Sequence, residues 1–415
     1  MRPIARASLL VSLLTLFLVS LAQATKENTI YSFGGGGTGD GMYPYSQPVF
    51  DAKGNMYGTT LGGGTHDAGM IFELSPSENG QWIETVLYEF TGQADGGYPY
   101  AGLVFDKSGN LYGTGGYGGT NGSGVVFELS PNGSSWTYSV LYSFGAYPTS
   151  GDGFAPNSTV VFDNNGNIFG TTNEGGIPGC FEGCGAVFEL SPNGVGGWTE
   201  KLIHEFPSGS KDGELPTGGL TLNTDGNLYG TTQNGGTAGS GVLNKLSYSS
   251  SKKEWVESIV HQFVGGKTRG SFPVNALLLA DEEGNLYGTT EGGGANSQGT
   301  VFETARGKAG WKTTVLYSFN KEYTGDGQGP EAGLIMDKKG NLYGTTLSGG
   351  AYNYYGTVFK LSKSENGEWA ETVLHSFNGN DGLYPEASLT IRGGWLYGTA
   401  TSGGNNTGVV FRVRP

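Results

Sequence analysis

The chain has 415 residues, of which 78 are glycine; 14% are charged and 12% aromatic, and the formal net charge is −14. Interior glycines cost a helix about 1 kcal/mol each, which argues against a helical fold. The 16 prolines without a Gly-X-Y period exclude collagen, and the 7 Trp, 23 Tyr and 21 Phe, which need burial, exclude a flexible linker. The chain opens with Arg2 and Arg6, then the apolar run Ala7 to Leu21, then Ala22-Gln23-Ala24. That is the layout of a signal peptide over residues 1–24, so a secreted protein is expected, extracellular, periplasmic or at the cell surface. Removing it takes away two Arg and no acid, so −14 becomes −16. Such a surface repels phosphate backbones, so no nucleic-acid partner is expected. No later stretch approaches about 18 apolar residues, so the mature chain is expected to lack a transmembrane segment.

The next feature is a short strand, Thr29-Ile30-Tyr31-Ser32-Phe33, followed by a repeat. Gly-Asn-Leu-Tyr-Gly-Thr-Thr begins at Gly226, Gly284 and Gly340, with close variants at Gly54, Gly109 and Gly166 and a weaker copy at Gly394. Each unit predicts four strands. In the unit near Tyr98 these are Leu103-Val104-Phe105, then Leu111 to Thr114, then Val125 to Leu129, then Trp136 to Phe144. Turns Asp106 to Asn110 and Ser130 to Gly133 and a Gly-rich loop, Gly115 to Gly124, separate them. Seven such units predict an all-β, seven-bladed β-propeller with four antiparallel strands per blade, forming one domain over residues 25–415. The N-terminal strand matches the fourth strands Val86-Leu87-Tyr88-Glu89-Phe90 and Val315 to Phe319, while Val409-Val410-Phe411 matches a third strand. The N-terminal strand is therefore expected to complete the last blade and close the ring. The final residues, Val409 to Pro415, are not expected to act as a hydrophobic tail or sorting signal.

Trp82, Trp136, Trp198, Trp255, Trp311 and Trp369 each open a fourth strand and are expected to pack blades together. The Gly in each Tyr-Gly-Thr (Gly58, Gly113, Gly230, Gly288, Gly344) marks a close approach, expected to be to an aromatic ring. His204, His261 and His375 stand where Tyr31, Tyr88, Tyr142 and Tyr317 stand in other units, so they read as tyrosine substitutes; His66 sits alone in a loop. Cys180 and Cys184 predict a disulfide that pins one loop, since no second Cys or His pair accompanies them.

The connection from each fourth strand to the next first strand reads Asp-Gly-x-x-Pro. Its acids are Asp40, Asp95, Asp152, Asp212, Asp326 and Asp381, with Arg269 in the fifth copy. These connections share a face with the loops that carry Asp67, Tyr117, Glu174, Glu291, Asn296, Tyr352, Tyr354 and Tyr355. Either each Asp caps its own turn, or the ring binds a cation or a sugar. Asp163-Asn164-Asn165-Gly166-Asn167 superficially resembles a calcium loop, but its Gly is misplaced and it aligns with hairpin turns. His-Glu-x-x-His and Gly-x-Ser-x-Gly are absent.

The unit Asp-x-x-Gly-Asn-Leu-Tyr-Gly-Thr-Thr, then Gly-Gly, Gly-x-Val-Phe-Glu-Leu-Ser, Trp and Val-Leu-Tyr-Ser-Phe resembles the GloVer tandem repeat of the bacterial choice-of-anchor GloVer-repeat proteins. The resemblance covers residues 29–413. It implies an exported, surface-associated bacterial protein and supplies no catalytic residues. The expected function is a non-catalytic binding or scaffold module that contacts glycan or envelope protein through the Asp-Gly-x-x-Pro face. No cofactor or resident metal is expected, and the module is expected to be a monomer. The alternative is a carbohydrate-active hydrolase or lyase using loop carboxylates on that face.

Overall fold

The computed structural model describes residues 27–34, 39–146, 151–177, 180, 183–209, 211–275, 277–320, 325–352 and 354–415. The signal-peptide expectation for residues 1–24 lies outside them. Among the described residues there is no helix, and seven four-stranded antiparallel sheets follow one another around a ring. Blade 1 runs Val49–Phe50, Met56–Thr60, Met70–Pro76 and Trp82–Glu89. Blades 2 to 6 repeat that order, and blade 6 ends with Thr357–Lys363 and Trp369–Ser376. Blade 7 has Thr390–Arg392, Trp395–Ala400 and Val409–Val413, and its fourth strand is Glu27–Ser32. Ser32 pairs with Val409 and Glu27 with Val413, so the N-terminal strand closes the ring as the repeat count requires.

Strand lengths follow from burial. The second strands (Leu-Tyr-Gly-Thr-Thr in three blades) are buried at every position, because both faces pack against neighbouring blades. The fourth strands alternate exposed and half-buried residues, as a rim strand should. The third and fourth strands run longer than expected. In blade 2 the third strand continues to Asn132 and the fourth begins at Ser135, so Pro131 pairs with Trp136 inside the ladder rather than lying in a turn. Every third–fourth pair also carries a bulge at one place, for example between Ile71 and Phe72 and between Val358 and Phe359. The bulge re-aims the following Tyr or His.

The glycine of each Tyr-Gly-Thr has a ring over it in most blades. A Cβ on Gly58, Gly113, Gly288 or Gly344 would lie 2.6–2.7 Å from the tip of Phe72, Phe127, Phe302 or Phe359. Blade 4 differs, because Asn244 lies over Gly230. The phenylalanine that ends a fourth strand packs edge-on against the next blade's ring, as Phe90 does on Phe127 at 5.4 Å, except Phe206, which meets blade 4 where Asn244 replaces that ring. The tryptophans bridge blades, as Trp136 does to Tyr57.

Candidate functional site

Each Asp-Gly-x-x-Pro connection pairs with the loop between the second and third strands of the following blade. Gly153–Phe154 pairs with Glu174–Gly175, Gly213–Glu214 with Asn234–Gly235, and Gly327–Gln328 with Ser348–Gly349. Single bridges, Gly97 to Tyr117 and Leu383 to Ser402, do the same job in two further units. These ribbons bring both sets of loops to one face.

The repeated carboxylates accept hydrogen bonds from their own turns. Asp152 accepts the Gly145 and Gly153 amides, both at 2.7 Å, and the Tyr142 phenol at 2.7 Å. Asp326, buried, accepts the Asn320 and Gly327 amides at 2.9 and 2.8 Å and the Tyr317 phenol at 2.8 Å. Asp95 accepts the Thr91 amide and the Tyr88 phenol, both at 2.9 Å. Burial pushes Asp95 up, but its hydrogen bonds to Thr91 and Tyr88 outweigh that and hold it below the usual range. Asp40 accepts the Gly34 and Gly41 amides, and Asp381 accepts the Asn378 amide. Asp212 accepts the Gly213 amide at 2.8 Å. His204 and His375 take the phenol's place, each 3.2 Å from Asp212 or Asp381.

A third group completes the set, and the sequence reading missed it. Two residues after each fourth-strand Trp, a side chain of the next blade faces the same carboxylate. Glu84 faces Asp40, Glu200 faces Asp152, Glu257 faces Asp212 and Glu371 faces Asp326. Glu27 occupies this position at ring closure, beside His375 and Asp381. Burial pushes Glu84 and Glu257 up to about 7 and Glu200 and Glu371 up to about 8, and the facing Asp adds to it. One buried oxygen of each of these four has no hydrogen-bond partner. The set changes twice. Tyr138 replaces Glu between blades 1 and 2 and stacks on Tyr88 at 3.9 Å. Between blades 4 and 5 the Asp is Arg269 and the Glu position is Thr313, whose hydroxyl pairs with Thr304 at 2.9 Å. There burial, with Arg269, holds His261 below the usual histidine value.

Glu27, His375 and Asp381 offer ligand atoms within 4.8 Å of one another, the one such cluster among the described residues. The same arrangement recurs elsewhere with a phenol in place of the imidazole, so a hydrogen-bonded network accounts for it.

The prolines place a different ring. The residue before the proline is left-handed in every unit: Tyr43, Tyr98, Ala155, Leu215, Phe272, Gly329 and Tyr384 have φ of 53–60°. This is costly for bulky side chains, and Tyr43, Tyr98, Phe272 and Tyr384 stand exposed. Just beyond the proline, Tyr45, Tyr100, Asn157, Thr217, Asn275 and Glu386 converge on a central mouth of about 320 Å³. Tyr45 and Tyr100 meet edge-on at 5.6 Å. The buried carbonyl oxygens of Asn157 and Asn173, both at the mouth, have no hydrogen-bond partner. In the sequence Glu331 follows Pro330 as Glu386 follows Pro385. Burial pushes Glu331 and Glu386 up to about 7; Glu291 reinforces the first and Thr401 opposes the second.

Of the other singled-out residues, Cys180 and Cys184 are disulfide-bonded with Cα atoms 5.2 Å apart. Asp67 accepts the Gly63 amide at 2.9 Å, and His66 is exposed. Asp163 accepts the Asn165 and Asn167 amides of its hairpin turn, at 2.8 and 2.9 Å. The mouth ring and the glutamates each had a sequence signal, an offset from a repeated Pro or Trp, although Asn275 lies two residues after Pro273 and the other mouth residues one after theirs. The signal was muted because the residue type varies at the first and is interrupted at the second.

No curated protein matches the chain. Among solved structures, an ulvan lyase of a polysaccharide lyase family, solved with a bound saccharide, is similar at TM-score 0.54 and 10% identity; the match covers 92% of this chain and 95% of that one. PorZ of Porphyromonas gingivalis, described as a surface component of the type-IX secretion system, is similar at TM-score 0.50 and 13% identity over 92% of this chain. The match takes in about half of PorZ, 48% of its length. At these identities the likeness is one of fold. The Gloeobacter/Verrucomicrobia repeat model matches residues 15–193, 136–281 and 255–415. The seven blades and this coverage place the chain in one family: it belongs to the Gloeobacter/Verrucomicrobia repeat proteins.

Proposed function

We propose that the protein is an exported, monomeric binding module that docks a glycan on the Asp-Gly-x-x-Pro face, over the central mouth. The observation that carries this is the mouth ring. Like frames present unlike side chains to it, two tyrosines, two amides, a threonine and a carboxyl group. Aromatic rings stack on sugar faces, and amides and carboxyls pair with hydroxyls. Asp40, Asp95, Asp152, Asp212, Arg269, Asp326 and Asp381 set the frames, and exposed Tyr43, Tyr98 and Tyr384 extend the surface. The surface role stated for PorZ and the saccharide bound by the ulvan lyase support this by fold analogy.

A glycan array probed with the mature chain tests it. Binding lost in Tyr45→Ala/Tyr100→Ala supports the proposal. An array without hits, alongside capture of a protein from envelope extract, replaces glycan by protein. A second reading, a polysaccharide lyase or hydrolase, draws on Glu331 and Glu386, because a carboxyl near pH 7 suits general-acid work. Turnover of a polysaccharide that disappears in Glu386→Gln favours it.

A further inference from the structure

The hairpin turns lie on the face opposite the mouth, and one blade interface there is unlike the rest. In six of seven blades the second strand has Tyr before its Gly; blade 3 has Phe169. In blades 1, 2, 5 and 6 the phenol bonds the hairpin aspartate, as Tyr343 does to Asp337 at 2.9 Å. In blade 5 the phenol of Tyr287 also reaches Glu303, at 3.0 Å. Phe169 offers no such donor. Glu189, which holds the position of Glu303, instead accepts the indole N–H of Trp255 at 3.2 Å and fixes that ring across the interface. Two further residues shape the gap. The first strand of blade 4 has Leu222 where blades 1 to 3 have Phe50, Phe105 and Phe162, and blades 5 to 7 likewise lack a ring there, with Ala280, Met336 and Ile391. Opposite Trp255 stands Tyr248, where blades 1 to 3 have Pro76, Pro131 and Pro192 and blades 5 and 6 have Arg306 and Lys363.

The result is a groove of about 1030 Å³ between blades 3 and 4. Tyr248 and Trp255 form a corner, with ring centroids 5.7 Å apart and planes at 68°, and Tyr248 is half exposed. Asn165 and Asp225 approach from the two hairpin turns and Lys201 from the fourth strand. Asp163, Glu189 and Asp225 against Lys201 leave the groove two negative charges in excess.

We infer that this groove is a second saccharide site, one that takes a neutral oligosaccharide. A perpendicular pair of aromatic walls receives the apolar face of a sugar ring. Asn165 supplies both donor and acceptor, Lys201 a donor, and Asp225 an acceptor, which is what hydroxyl groups require. The excess negative charge disfavours uronates, sulfated sugars and phosphates. Phe169 before its Gly and an aromatic ring, Tyr248, opposite the fourth-strand Trp each occur at this interface alone, which distinguishes the groove from the hairpin face as a whole. It is independent of the mouth.

The test is titration of the mature chain with cellohexaose, mannohexaose and chitohexaose, with hexagalacturonate as the acidic probe, followed by tryptophan fluorescence. At least one neutral hexasaccharide is expected to bind saturably. Tyr248→Pro, which restores the residue of blades 1 to 3, is expected to weaken it by about tenfold or more, and Phe169→Tyr to weaken it too. The titration is repeated in a Tyr45→Ala/Tyr100→Ala background, which removes any binding at the mouth, and saturable binding is expected to persist there. Tyr248→Ala replaces the proline variant if that does not fold. The inference is overturned by no binding of any neutral probe, by affinity unchanged in a folded Tyr248 variant, or by tighter binding of hexagalacturonate.

Discussion

The interface between blades 5 and 6 and the one between blades 4 and 5 share a frame and differ in charge. At the first, Tyr317, Asp326 and Glu371 crowd two carboxyl groups beside a phenol. At the second, His261, Arg269 and Thr313 hold the same places with no acid among them. The frame survives both fillings because the loop pairing uses the backbone carbonyl of the Asp or Arg, not its side chain. The Gly350 amide donates to the Asp326 carbonyl at 2.7 Å, and the Gly294 amide to that of Arg269 at 2.8 Å. The side chains are then free to set the pH response of each junction.

The largest expected effect comes from removing the buried acceptor. Asp326→Ala strands two amides and a phenol and should cost about 2–4 kcal/mol, read as a fall in urea midpoint. Arg269→Ala, on an exposed side chain, should stay within about 0.5 kcal/mol. Equal effects would mean that the two junctions carry the same load after all.

Next comes pH. Glu200 and Glu371 sit at about 8 when folded and near 4.5 when unfolded, and Glu84 and Glu257 at about 7. The folded state holds the extra protons, so this contribution is complete below pH 4.5 and is lost as pH rises through 7 to 8. Toward strong acid Asp95 acts the other way, since its folded value lies below 3.8 and its stabilisation is lost as pH falls through it. Tm should therefore peak in mild acid and fall by several degrees toward pH 8.5. These groups are part-exposed, so solvent screening reduces the effect. Glu200→Gln/Glu371→Gln should flatten the alkaline decline and raise Tm at pH 8.5. A steeper decline in that variant would contradict the assignment.

The smallest effect concerns His261. Its folded value lies below the ordinary 6.5, so the stability it contributes is present above 6.5 and lost as pH falls through the lowered value. Arg269→Asp removes the cation beside His261 and sets a carboxylate there, as Asp212 stands by His204, so the His261 value should rise from its lowered position. Histidine NMR titration reads the shift directly, and an unmoved or lowered value would break the analogy.

The sequence carried the fold well because a propeller repeats its constraints. The Gly–Phe contact recurs down the chain, and the counting of third and fourth strands required the N-terminal strand to close blade 7. The bulge was not legible, since no residue type marks it. The tyrosine and histidine equivalence was legible, because His204 and His375 hold the same strand position as Tyr142 and Tyr317. The glutamates were harder. Glu84 and Glu371 each lie in one blade and act on the aspartate of another, and an offset along one strand does not show what faces it across a blade junction. The candidate sites were least legible of all. Tyr45, Asn157 and Glu386 share a position but not a chemistry, and the blade 3–4 groove exists through what Phe169 and Leu222 lack.

Ring closure also has a consequence for the order of folding. Of the propeller's strands, Glu27–Ser32 is made before all the others and its partner Val409–Val413 after them. Blade 7 cannot assemble until the strands of the other six blades have been made, so its contacts have the longest sequence separation in the propeller and the slowest loop closure. An arrested chain that ends before Val409 keeps an unsatisfied strand edge at its beginning, open to pairing with another such chain. Completion of the ring is thereby coupled to loss of its most adhesive edge, so a closed propeller and an unfinished one differ in stickiness as well as in shape.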